Sequence, residues 1–209
     1  MNNHFISNKN KIYGVWIFIF LISIQGCDSD LNVTGVHSDD PGRLQLYISS
    51  SDSDDFIVIT GDTARVGDGI NDSLALTIGQ GRAYRGSDFA VLFKSLDEYR
   101  EFSETYNIIE KEAGNFKKFL IFETYLPPAT YDSIKVTITA DYVQIGTFQI
   151  PIEMPPGVNH FLKIVRQFDM NKNRVTEIHL ELKQFQSMVR IGDAYHFFRI
   201  IEVVEIKYL

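Results

Sequence analysis

The sequence predicts a mostly β protein: an antiparallel β-sandwich or partly closed barrel with one helix over 95–112, preceded by a signal-peptide helix. Three observations carry this. Apolar and polar residues alternate with period two from Arg43 onward, β-branched and aromatic stretches recur at short spacing through the carboxyl half, and Asp/Ser/Gly or Pro/Gly clusters separate them. Short strands punctuated this way favour antiparallel sheets over βαβ units, which need helical crossovers. The 209 residues, 44% hydrophobic and 13% aromatic, are enough for one domain with its own core and unlike a disordered chain.

The amino end carries the first element. Met1 to Lys11 is polar, with Lys9 and Lys11 and no acid, and Ile12 to Ile24 is an apolar run of 13 residues broken only by Gly14 and Ser23. That is short of the ~20 residues that span a bilayer, so it reads as the apolar region of a signal peptide covering 1–26. Ile24-Gln25-Gly26-Cys27 follows and resembles a bacterial lipobox, with cleavage between Gly26 and Cys27 and Gln25 in place of the usual small residue. Cys27 is the one cysteine of the chain, which excludes a disulfide framework or a Cys-rich zinc site. Its expected role is lipidation. A diacylglyceryl thioether and an acylated new amino terminus anchor durably, because each buried CH₂ contributes ~0.8 kcal/mol and one chain alone is marginal. Localisation is therefore expected to be export with lipid anchorage to a bacterial cell-envelope membrane. Asp28, an inner-membrane retention signal in some Gram-negative bacteria, does not settle which membrane. Losing Lys9 and Lys11 takes the net charge from −7 to −9. That balance, with no Lys/Arg block, argues against nucleic acid as a partner.

Residues 27–42 read as the lipidated cysteine and a polar, turn-rich tether, and 43–209 as a single β-rich ectodomain. Within it Leu44, Leu46 and Ile48 share one strand face. Phe56–Thr60, Leu74–Ile78 and Ala90–Phe93 are apolar runs of strand length. Ser95 to Glu112 is the helix candidate: Ser95 and Glu98 fit a capping box, Leu96, Tyr99, Phe102, Tyr106 and Ile109 recur at helical spacing, and Ala113-Gly114-Asn115 would end it. Further strands are expected over Phe116–Tyr125, Ser133–Ala140, Val143–Ile152, Phe161–Phe168, Val175–Leu182, Ser187–Ile191 and Tyr195–Ile206.

Leu126-Pro-Pro-Ala-Thr-Tyr-Asp-Ser-Ile-Lys-Val136 resembles a recurrent "LPxGxYxxIxV" element of small bacterial and archaeal lipoproteins, with Ala129 at the expected glycine. Phe161–Ile164, Thr176–Leu182, Ser187–Gly192 and Tyr195–Val204 are similar to the rest of that pattern in order, and Leu44–Ile48, Asp52–Asp55 and Phe56–Ile59 to its opening element. The family is known as domain of unknown function 4382, and the resemblance covers about residues 43–206. It implies a lipid-anchored β-sandwich of unassigned role.

Candidate sites are few. Asp52, Asp54 and Asp55 would present carboxylates to a hard cation such as Ca²⁺, or form a solvated turn. Asp169-Met-Asn-Lys-Asn173 has oxygens at calcium-loop positions, but Arg174 stands at the required glycine and Leu180 at the bidentate glutamate, so a hairpin turn is expected. Asp62, Asp68, Asn71 and Asp72, scattered among glycines in an expected long loop, are a further cation candidate. His37, His160, His179 and His196 have no metal-ligand spacing, and no nucleophile elbow or phosphate-cradling loop is present. Tyr84, Tyr99, Tyr106, Tyr125, Tyr131, Tyr142 and Tyr195 would build a sugar-stacking platform or pack in the core. The expected function is binding or scaffolding rather than catalysis, with no cofactor beyond a candidate Ca²⁺ at the Asp52 turn. The expected partners are the membrane, through Cys27, and an envelope polysaccharide or protein. The alternatives are a fimbrillin-like subunit of a surface fibre and a carbohydrate-binding lipoprotein.

Overall fold

The computed structural model describes residues 40–52, 71–97 and 103–209, together with the backbone of strands at 56–59 and 62–65. All of these fall in one compact unit, Val36–Leu209. Cys27, Gly26, Asp54, Asp55, Asp68, Tyr99, His37 and the tether ahead of residue 40 lie outside the described residues.

Among the described residues the chain is built of strands: β1 (Gly42–Ser50), β2 (Phe56–Ile59), β3 (Asp62–Arg65), β4 (Ser73–Arg85), β5 (Asp88–Leu92), β6 (Glu104–Asn107), β7 (Lys111–Glu112), β8 (Asn115–Phe116), β9 (Phe119–Leu126), β10 (Ala129–Ile145), β11 (Phe148–Glu153), β12 (Phe161–Met170), β13 (Val175–Leu182), β14 (Met188–Ile191), β15 (Ala194–Phe197) and β16 (Ile201–Tyr208). A four-stranded sheet runs in the order β16-β13-β1-β9, with β1 parallel to β13 and antiparallel to β9. An eight-stranded sheet is organised around β4 and β10, which pair with each other along most of their lengths. On its other side β10 pairs first with β12 and then with β11, while β4 pairs with β6 and then with β5. β15 and β14 extend this sheet beyond β11.

The alternation anticipated for the first strand is complete: Leu44, Leu46 and Ile48 are fully buried while Arg43, Gln45 and Tyr47 point the other way. The core lies between the two sheets and includes Phe122, Phe168, Leu76, Val136, Ile138 and Leu180. The sheets keep distinct edges, so the fold is sandwich-like and not a closed barrel. Glycine is needed at the tips of the two hairpins on β4 and β10. Gly86 (φ 63°) turns β4 into β5, Gly146 (φ 57°) turns β10 into β11, and their amides donate to the carboxylates of Asp132 and Asp72.

The helix expected over 95–112 is not formed where the structure describes it: 104–107 and 111–112 are strands, and 98–102 lie outside the described residues. The helical spacing of Tyr106 and Ile109 is outweighed by pairing. Glu104–Asn107 completes the edge of β4, Asn107 accepts from the Leu74 amide, and Thr105 shares a hydroxyl hydrogen bond with Thr77. An isolated amphipathic helix of this length is marginal, whereas β-branched and aromatic residues gain from a pleated partner. Two strand boundaries also shift. β10 runs unbroken through Asp141, because the turn falls at Gly146, and the stretch expected over 195–206 breaks at Phe198–Ile200.

The Pro127-Pro128 turn is fixed by Tyr131, which is buried, stacks on Phe168 at 5.3 Å and donates its hydroxyl to the Pro127 carbonyl at 3.2 Å. Tyr131→Phe keeps the ring and loses the bond, so it is expected to destabilise by about 1 kcal/mol in urea unfolding.

Candidate functional site

The larger sheet brings together cations that are far apart in the sequence. Lys135 at the centre of β10 stands directly opposite Arg82 on β4 and directly opposite Lys163 on β12. Directly paired residues share a face, and neighbouring strands lie ~4.8 Å apart, so three positive charges cross the sheet in a row roughly 10 Å long. Aromatic rings flank it. The Arg82 guanidinium carbon is 4.7 Å from the Phe89 ring centre and 5.6 Å from that of Phe161, and Lys135 Nζ is 4.4 Å from the Tyr84 ring centre. Tyr84 and Phe89 contact each other at 5.6 Å. Among the described residues none of the three cations has a carboxylate ion-pair partner. Asp132, the nearer in sequence of the two acids on β10, is committed elsewhere. Hydrogen bonds from Ser133 and from the Gly86 amide, with a smaller contribution from the Lys163 charge, hold its carboxyl below the usual range. Along β10 the same face continues through Thr137 and Thr139, the latter opposite Thr77, whose hydroxyl lies 2.8 Å from that of Thr105.

Like charges placed directly opposite across strands destabilise a sheet. Folding therefore does not favour this row, and in a chain of net charge −7 it is a local reversal of sign. Its physical capacity is to attract an anion, with rings that limit hydration of the cations and hydroxyls that offer hydrogen bonds.

The outer face of the smaller sheet is polar but internally paired. Tyr47 stacks on its register partner His179 with ring centres 4.9 Å apart, and His179 Nε2 is 3.5 Å from Glu177. Glu123 accepts from Arg43 and from Gln45. Burial pushes the Glu123 carboxyl up, but the Gln45 and Arg43 hydrogen bonds and the Arg43 charge together outweigh it, and its pKa lies below the ordinary value. A carboxylate with a depressed folded-state pKa contributes stability above its unfolded pKa and loses it as pH falls through the folded value. Glu123→Gln is thus expected to lower stability at neutral pH and to flatten its acid decline, read from urea midpoints between about pH 7 and about pH 3.

The free sides of β12 and β16 face a cleft of about 420 Å³ lined by Leu162–Arg166 and Ile201–Val203. Lys163 borders this cleft as well as ending the cation row.

Of the residues singled out in the sequence, Asp52 is exposed in the turn after β1. Asp72 caps the Gly146 turn, and Asp169 is a strand residue accepting from Thr130. The hairpin expected after Asp169 is not formed: the chain turns there, with Asn173 at φ 53°, but β12 pairs with β10 in the larger sheet and β13 with β1 and β16 in the smaller, so the turn carries the chain from one sheet to the other. His179 and His196 are buried, each with an Nδ1 that has no partner, and His160 is exposed. Among the described residues no group of three His, Cys, Asp or Glu converges as a metal site. Among the described residues the candidate tyrosines do not form one platform: Tyr131 and Tyr195 are buried, Tyr106 packs on Phe119, Tyr125 is exposed on the other sheet, and Tyr84 joins the cation row. Comparison with protein-family models, curated proteins and solved structures finds no match to this chain.

Proposed function

We propose that this is a bacterial envelope lipoprotein, exported by its first 26 residues, anchored through lipid on Cys27, and acting by binding or scaffolding through its β-sandwich. The observation that carries the reading is Ile24-Gln25-Gly26-Cys27, placed directly after a 13-residue apolar run and holding the chain's one cysteine. The resemblance to the lipoproteins of domain of unknown function 4382 supports the same reading. Binding is supported by the cation row, which presents charge at a stability cost on a rigid sheet. Cys27→Ala is expected to leave an uncleaved precursor without lipid label. Processing and labelling of that variant would contradict the anchor.

A fibre subunit is the second reading, favoured by the cleft between the free sides of β12 and β16, where a strand from a neighbour would fit. Bulges oppose it: Asp132 faces both Arg166 and Gln167, and Val204 interrupts the pairing of β16. Ladders of the purified protein that survive detergent would favour it; a monomer at high concentration would weaken it.

A further inference from the structure

We infer that the Arg82–Lys135–Lys163 row is the binding site for an acidic polysaccharide. This deepens the binding reading above and rests on it.

Three cations stand side by side across β4, β10 and β12, no described carboxylate pairs with them, and the chain around them is acidic. An unfavourable like-charge row on a sheet that folds by burying its other face is explained by a ligand that neutralises it. The ligand's charges must recur at about the ~4.8 Å spacing between strands or a multiple of it, which describes a polyanion running across the strands rather than a single small anion.

The flanking groups choose among polyanions. A single-stranded nucleic acid needs ring faces free to stack on bases. Here Arg82 lies against Phe89 and Phe161, and Lys135 against Tyr84, so the cations themselves occupy ring faces. The face continues into threonine hydroxyls at Thr137 and Thr139 of β10, which suit a hydroxyl-rich chain. Carboxylates would meet the three cations while sugar hydroxyls exchange hydrogen bonds with the threonines. Lys163 also opens onto the β12–β16 cleft, lined by Arg166 and by Glu202, whose charge is paired with Lys183, so a longer polymer has a continuation along Arg166.

The test uses the full chain in detergent with polygalacturonate as the probe, its fully methyl-esterified form as the uncharged control, and a single-stranded oligonucleotide as the competing polyanion. Saturable binding of polygalacturonate that weakens with added salt is expected, with no binding of the ester. Lys135→Thr is expected to weaken binding at least about tenfold. It should leave the melting temperature unchanged or raised, because the like-charge contacts with Arg82 and Lys163 are relieved. Equal binding by wild type and Lys135→Thr, no saturable binding of polygalacturonate, or tighter binding of the oligonucleotide would each overturn the inference. None of these outcomes bears on lipid at Cys27, so the anchor and the glycan site fail separately.

Discussion

Phe122→Ala is expected to destabilise the protein by about 3–5 kcal/mol, because a fully buried ring is removed from the centre of the core. Phe122 reaches from β9 of the smaller sheet to β4 of the larger, where it lies against Gly81. A Cβ built on Gly81 would be 2.7 Å from Phe122 Cζ and within 3.0 Å of two further ring atoms. Glycine is required there by close approach, and Gly81→Ala alone is expected to cost about 1–3 kcal/mol by overpacking. Combined, the two substitutions should cost less than their sum, since the alanine methyl enters the space that the ring vacates. Urea unfolding of the four proteins measures this, and strict additivity would show that the two residues do not share the space. Gly81 precedes Arg82, so the same contact holds one end of the cation row in place.

The second large effect is at Arg199. Arg199 is buried in the connection between β15 and β16 and donates to the carbonyls of Asn159 (2.7 Å) and His160 (2.8 Å), tying the segment before β12 to that connection. Burial lowers its pKa from the ordinary value. Its Nε has no partner and its φ is 54°, a left-handed conformation that side chains disfavour. Loss of two charge-assisted hydrogen bonds makes Arg199→Ala destabilising by about 2–3 kcal/mol. Arg199→Gly loses the same bonds but relieves the backbone, so it should be the more stable of the two by about 1 kcal/mol. This inverts the usual order of alanine and glycine. Equal midpoints for the two variants would mean that the backbone stores no strain at this position.

Period-two alternation made the sandwich legible. Leu44, Leu46 and Ile48 lie on the buried face as expected, and the carboxyl half is strands throughout, with the turn between β10 and β11 displaced to Gly146 and the last expected strand split into β15 and β16. What failed was local pattern set against long-range pairing. Tyr106 and Ile109 have helical spacing, yet Thr105–Asn107 find hydrogen bonds on β4 that no local signal announces. The break at Arg199 was hidden because the run of aromatic and β-branched residues around it holds no Gly, Pro, Asn or Asp, while Arg199 is left-handed and the Phe198 and Ile200 amides bond Ser187. The cation row was invisible for a topological reason. Arg82, Lys135 and Lys163 are single charges in three separate strands, and only the register of β4, β10 and β12 aligns them, so a search for a basic block passes over them. Among the described residues, Tyr84 is the one candidate platform tyrosine that lies in that row.

Lipid on Cys27 is what would hold the chain at the membrane, and the mass of the amino-terminal peptide of protein purified from source membranes tests it most directly. The predicted result is a peptide beginning at Cys27 and carrying a diacylglyceryl thioether with an acylated amino group. A peptide containing unmodified Cys27 joined to Gly26 would contradict it.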